Sequence, residues 1–329
     1  MNVAVFSTQP YERLYLDKSN VGQQHQLTYF EAALNTHTCN LAAGFEAVCV
    51  FVSDKIDKEA VEKLAKIGIK LIDLRSAGFN HVDVEAATTA GMRVMRVPAY
   101  SPQAVAEHAV AMILTLNRKT HKTYNRVREG NFSLAGLLGF NLFGKTVGIV
   151  GTGKIGRAFA NIMLGFGCEV IAFDIKESDE IKAKGIQYQP FETLLERADI
   201  ISLHCPLTPE TTHLFDSLAF AKIKKGAMLI NTSRGALIKT THAIAALKNS
   251  QLGYLGIDVY EQEENLFFKD LSGTVIQDET IQRLMSFNNV LITPHQGFFT
   301  DEALTQIANT TIKNLSDFEN GLASENEVK

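Results

Sequence analysis

TVGIVGTGKIGRAFA, residues 146–160, is the stretch whose reading decides the fold. A run of apolar and β-branched residues ends at Gly151. Gly153 and Gly156 follow, and then a helical pattern. Each glycine has a mechanical task in a dinucleotide-binding turn: Gly151 allows the tight bend, Gly153 lets backbone approach a pyrophosphate, and Gly156 lets helix pack on strand. The helix start then offers free N–H groups and a partial positive charge to phosphates. Asp174 closes the next strand pattern, EVIAFD. A carboxylate there accepts hydrogen bonds from the adenosine ribose and repels a 2′-phosphate, which favours NAD over NADP. Lys176, two residues on, works against that preference. The structural alternative is a plain turn followed by a helix-capping Asp.

This turn stands about 145 residues into a chain of 329, a length that favours two domains. The first hundred residues alternate strand and helix patterns. NVAVFST, AVCVFVS, KLIDLRSAG and RVMRVP read as buried strands, and KEAVEKLAKIG as a helix stopped by Gly68. SPQAVAEHAVAMILTLNRKTHKTY reads as one long helix, with Ser101 as cap and Pro102 in its first position. A second series follows: TVGIV, EVIAFD, DIISLHC, AMLINTS, YLGIDVY and NVLITP. The stretch from Thr300 reads as a last helix. Such alternation predicts parallel sheets covered on both faces.

Composition narrows the class. Charged residues are 21% and the net charge is −4, with no basic run, so a nucleic-acid partner is not expected. No apolar stretch is long enough to span a membrane, and the start lacks the pattern of a signal peptide. The four cysteines, Cys39, Cys49, Cys168 and Cys205, have no metal-like spacing. Reduced thiols in a cytoplasmic protein, with no bound metal, are the expectation.

The chemistry collects at the carboxyl ends of the second series: Gly151, Asp174, Cys205-Pro206, Ser233-Arg234, Asp258 and His295. Ligands of open parallel sheets bind at that edge. Arg234 presents a planar, permanently charged fork suited to a carboxylate; a surface salt bridge is its ordinary fate. His295 suits proton donation near neutral pH, and a neighbouring carboxylate favours its charged form. His204, also at a strand end, is the rival, read as cofactor-side or structural. Glu261, Glu263 and Glu264 are not separable by spacing.

GTGKIG, HCPLT, NTSRG, DVYEQE and PHQ occur in the order and approximate spacing of one family. On these motifs the chain resembles the D-isomer-specific 2-hydroxyacid dehydrogenases over nearly its whole length. The resemblance implies two doubly wound parallel-sheet α/β domains. A Rossmann NAD-binding domain, 101–297, would be inserted into a split flavodoxin-like substrate domain, 1–100 with 298–329. It implies that Arg234 holds the substrate carboxylate, that His295 is the acid/base, and that Glu263 is its partner, standing five residues after the Asp of the D-V-Y motif. NAD contacts carry over to Gly151, Thr152, Gly153, Lys154, Ile155, Gly156, Asp174, His204, Cys205, Pro206, Thr211, Thr232, Ser233 and Asp258. Substrate contacts carry over to Arg75, Ala77, Gly78, Tyr100, Arg234, His295 and Phe299, with backbone N–H groups at Ala77 and Gly78 forming an anion nest. The implied reaction is NADH-dependent reduction of pyruvate to D-lactate by a homodimer or homotetramer. The alternatives are a phenylpyruvate, glyoxylate or branched-chain reductase, or a non-catalytic NAD-sensing protein.

Overall fold

The computed structural model of the chain describes residues 1–328, Asn265 by its backbone only. It divides into two compact units: Met1–Ser101 with Phe299–Lys329, and Pro102–Phe298. Among the described residues no helix is long and apolar enough to cross a membrane.

The first unit holds five parallel strands, β1 (Asn2–Val5), β2 (Gln26–Tyr29), β3 (Ala47–Val50), β4 (Leu71–Leu74) and β5 (Arg93–Arg96), in the order β2-β1-β3-β4-β5. That is the flavodoxin-like order. Its helices are α1 (Pro10–Ser19), α2 (Lys58–Lys66) and α3 (Val84–Thr89). Strands β3 and β4 are buried at every position, as parallel strands covered on both faces must be. Asp57 starts α2 by accepting from the Ala60 N–H, and Val61 and Leu64 turn its apolar stripe to the sheet. The edge strand β2 escaped the sequence reading because QLTY is partly exposed and carries no apolar run.

The second unit begins with α4 (Pro102–Arg118) and α5 (Thr120–Arg128). The sequence predicts one helix here, and the structure breaks it at Lys119, which has φ 52°. Asn117 is the cause. Its buried side chain exchanges two hydrogen bonds with the Phe140 backbone, at 2.8 Å each. The Lys119 ammonium is likewise drawn to the Leu138 carbonyl.

Seven parallel strands follow: β6 (Thr146–Val150), β7 (Glu169–Phe173), β8 (Gln187–Tyr188), β9 (Ile200–Leu203), β10 (Ala227–Asn231), β11 (Leu252–Ile257) and β12 (Val290–Ile292). Their order is β12-β11-β10-β9-β6-β7-β8. The order reverses between β6 and β9, the switch point where such sheets take ligands. The helices are α6 (Lys154–Gly165), α7 (Asp179–Ala183), α8 (Phe191–Arg197), α9 (Ser217–Lys222), α10 (Thr240–Lys248) and α11 (Glu279–Met285). Alternate residues serve opposite faces. Ile149, Ile200 and Met228 pack with Met112 and Phe159. Val150, Ile201 and Leu229 pack with Leu194, Phe215 and Leu247. The chain then rejoins the first unit through α12 (Asp301–Glu319), whose Ala308, Ile312 and Leu315 lie against Val3, Val5 and Leu71.

One ion pair is sealed inside the first unit. Arg75 follows β4, and its Nε donates to Glu12 Oε1 at 3.0 Å, with the two side chains 1% and 7% exposed. Its other nitrogens donate to the Phe6 and Cys49 carbonyls. Glu12 in turn accepts from the Gln9 N–H in the capping box of α1. Breaking a buried pair strands a charge and costs about 3–5 kcal/mol. Glu12→Gln is therefore expected to lower the urea midpoint of this unit by that much stability. A loss below about 1 kcal/mol, the range of an exposed pair, would contradict the role.

Candidate functional site

The glycine turn is built as its spacing requires. Gly151 has φ 96°, and a Cβ on it would lie 2.5 Å from the Cys205 nitrogen. The loops after β6 and β9 therefore touch backbone to backbone at the switch point. A Cβ on Gly156 would lie 2.0 Å from the Gly151 carbonyl oxygen, whereas Gly153 has open space before it. Lys154 and Ile155 open α6 directly behind. Asp174 stands just past β7. Its Oδ2 accepts from the Thr152 N–H at 2.6 Å and the Thr152 hydroxyl at 3.0 Å, and its Oδ1 from the Lys176 N–H. That leaves one lone pair, on Oδ1, for a ribose hydroxyl.

These residues fit a dinucleotide. Gly153 leaves room for a pyrophosphate at the start of a twelve-residue helix. The Thr232 hydroxyl, after β10, is buried and has no partner among the described residues, as a ligand-facing group would be. Ser233 Oγ donates to the Cys205 carbonyl at 2.7 Å, tying the loops after β9 and β10 together beside the exposed Pro206.

Arg234, Glu263 and His295 come from the loops after three neighbouring strands. Backbone bonds stitch those loops: the Asp258 N–H donates to the Asn231 carbonyl and the Thr293 N–H to the Ile257 carbonyl. A Cβ on Gly235 would strike the Tyr260 carbonyl, so the Arg234 loop lies directly on the loop after β11. Asn231, fully buried, shapes that loop by donating to the Arg234 carbonyl and accepting from the Ser233 N–H. Among the described residues no carboxylate pairs with Arg234; its guanidinium donates to the Ser233 carbonyl at 2.7 Å.

His295 Nδ1 lies 2.9 Å from Glu263 Oε1, with side chains 19% and 25% exposed. Glu263 Oε2 accepts from the Tyr260 N–H at 2.9 Å, which fixes the carboxylate. An ionised carboxylate only accepts, so Nδ1 carries the proton and Nε2 is left for chemistry. Phe268 and Phe298 flank the ring at 5.8 and 6.5 Å between centroids. The neighbour Glu261 is excluded as partner, because it bonds His213 and the Thr240 hydroxyl and N–H. His295 has φ 55°, a left-handed backbone costing a non-glycine residue about 1–3 kcal/mol.

In the first unit, the loop after β4 presents backbone donors. The Ser76 hydroxyl takes the Gly78 carbonyl and Arg96 takes the Ala77 carbonyl, each at 2.8 Å. Among the described residues nothing accepts from the Ala77 and Gly78 N–H groups. Tyr100 is half-buried after β5. Phe299 is 49% exposed and meets the Tyr11 ring edge-on, 4.7 Å between centroids.

The side chains of four residues named by the resemblance are engaged within the protein. Arg75 offers no guanidinium to a substrate, since it is sealed on Glu12. The His204 ring is turned inward, bonded to Ser202 Oγ at 2.9 Å and packed on Phe159, and burial pushes its pKa down to about 3. It is neutral at working pH. The Thr211 hydroxyl is spent on the Pro206 carbonyl at 2.8 Å, closing its own loop. Asp258, expected on the cofactor, is 1% exposed with both oxygens engaged by the loop that carries His295. The reading missed Asn231 and Tyr11. Asn231 had a signal, being an amide inside the buried strand pattern AMLIN.

The family model for the D-isomer specific 2-hydroxyacid dehydrogenase, NAD binding domain, matches residues 110–297. The chain is 50% identical over 328 residues to the D-lactate dehydrogenase of Escherichia coli, covering all of both. The apo-structure of D-lactate dehydrogenase from that organism aligns over the whole of both chains with a TM-score of 0.91. A structure identified as the pyruvate reductase of Chlamydomonas reinhardtii gives 0.92 at 43% identity, covering 99% of this chain and 98% of that one. D-lactate dehydrogenase from Aquifex aeolicus, complexed with NAD and lactic acid, gives 0.87 at 34% identity, covering 97% and 96%. The chain belongs to the D-isomer-specific 2-hydroxyacid dehydrogenases, with an NAD-binding domain as its second unit.

Proposed function

We propose that the protein reduces pyruvate to D-lactate with NADH, reversibly. The observation that carries the reading is the His295–Glu263 hydrogen bond, which leaves Nε2 free in the same unit as Arg234, which pairs with no carboxylate among the described residues. The names of the relatives at 43–50% identity support pyruvate as the substrate. In this reading Arg234 takes the substrate carboxylate as a bidentate fork. Protonated His295 gives its Nε2 proton to the ketone oxygen as the alcohol forms. Glu263 stabilises the imidazolium and holds the ring in one orientation. NADH, held by the Gly151 turn and Asp174, supplies the hydride when bound. The buried Cys205 thiol, pushed up to about 11 by burial, takes no part as a nucleophile.

The cytoplasmic setting is supported by four free, buried cysteines. Self-association into a dimer or tetramer is supported by an exposed apolar stretch after α5: Phe132, Leu134, Leu138 and Phe143 are each at least 75% exposed, and large exposed apolar surface marks interaction sites. Light scattering is expected to give a multiple of the chain mass, and a monomer at micromolar concentration would contradict this.

The function is tested by NADH oxidation with pyruvate, phenylpyruvate, glyoxylate and 2-ketoisocaproate, and by the chirality of the product. Pyruvate is expected to have the highest kcat/KM and to yield D-lactate; a preference for another acid, or an L product, overturns the proposal. His295→Gln is expected to lower kcat about 10²- to 10⁴-fold while NADH still binds. Turnover near the parent's would remove His295 from its role. Asp174→Ala deletes charge-assisted hydrogen bonds worth about 1.5–3 kcal/mol, so NADH kcat/KM is expected to fall about ten- to hundredfold. NADPH should fall less, and an unchanged ratio between the two would place discrimination elsewhere.

A further inference from the structure

The loop carrying His295 is held down by a polar cluster, one member of which comes from a distant helix. Asp258 Oδ1 accepts from the Gln296 N–H at 2.9 Å and from the Thr293 hydroxyl at 2.5 Å, and Oδ2 accepts from the Gly297 N–H at 2.8 Å. His108, on α4, reaches the same cluster. Its Nε2 lies 3.0 Å from Thr293 Oγ1 and 3.3 Å from Asp258 Oδ1. Counting protons gives the direction. A threonine hydroxyl has one proton, and that of Thr293 goes to Asp258. The hydroxyl can then only accept from His108, so Nε2 of His108 is protonated. Packing reinforces the bond: a Cβ on Gly297 would lie 3.0 Å from Asp258 Oδ2 and 3.5 Å from the His108 ring.

We propose that His108 is a positioning residue for the reaction. By donating from Nε2 to Thr293, it locks residues 293–297 in the one conformation that presents His295 to substrate. The inference rests on His295 being the proton donor. A left-handed backbone at a histidine persists only where its surroundings over-determine it. Glu263 fixes the ring, Asp258 fixes the loop backbone, and His108 fixes the Asp258–Thr293 pair from 185 positions away. Without that anchor the hydroxyl is free to turn, and the loop loses one of its constraints. A proton donor displaced by about 1 Å costs about a hundredfold in rate.

The test is steady-state kinetics with pyruvate, together with NADH affinity from fluorescence, on H108L, H108Q, T293V and H108L/T293V. H108L is expected to lower kcat about tenfold or more while NADH affinity stays within about twofold. H108Q keeps an N–H donor and is expected to recover most of the loss. The double variant is expected to be no slower than T293V alone, because both break one linkage. The inference is overturned if H108L turns over like the parent, if H108Q is as slow as H108L with normal NADH affinity, or if the two losses multiply. Should H108L fail to bind NADH at all, H108Q and T293V decide: fast Gln with slow Val supports the inference, and any other pairing overturns it. A parent chain inactive on every 2-keto acid would instead sink the functional reading itself.

Discussion

A hydrogen bond of 2.9 Å between His295 Nδ1 and Glu263 Oε1 determines which end of an imidazole is available for chemistry. Everything proposed for the reaction depends on it. A free histidine exchanges tautomers and rotates; here the acceptor fixes the proton on Nδ1, and the backbone fixes the acceptor through Tyr260. The fold supplies the rest. Parallel strands β10, β11 and β12 are adjacent, so the loops that leave their carboxyl ends are adjacent too. Residues as far apart in sequence as Arg234 and His295 then belong to one edge of one sheet.

Two arginines show how context decides the fate of the same side chain. Both stand just past the carboxyl end of a parallel strand. Arg75 meets Glu12 and two carbonyls inside the first unit, and becomes part of the core. Arg234 meets no carboxylate among the described residues and keeps its charge available. Sequence position alone does not distinguish them. What distinguishes them is whether a carboxylate is already in reach, and Glu12 lies 63 residues from Arg75.

The same limit explains what was legible beforehand. The buried strands were legible because parallel strands covered on both faces are apolar at nearly every position. The glycine turn was legible because each glycine answers a separate steric demand, and the conflicts at Gly151 and Gly156 are the physical form of those demands. The pairing of Glu263 rather than Glu261 with His295 rested on family spacing, since their difference lies in long-range partners: Glu261 is taken by His213 and Thr240. The edge strands β2 and β8 carry too little apolar pattern to be seen. The break at Lys119 depends on Asn117 finding Phe140 across a loop. The tasks of Asp258 and His108 were hidden for a related reason. Their tasks are set by a cluster that exists only once α4, β11 and the loop after β12 are packed. His108 did leave a trace, a polar ring among Val105, Ala109 and Met112 in an otherwise apolar stripe.

The most direct measurement of the central claim is the tautomer of His295, read from ¹⁵N chemical shifts of histidine-labelled protein at a pH where the ring is neutral. The signals are identified by their loss in His295→Gln. The account predicts a protonated Nδ1 and a bare Nε2. A ring that carries its proton mainly on Nε2 would mean that Glu263 does not hold it, and the proposed proton donor would have the wrong end facing the substrate.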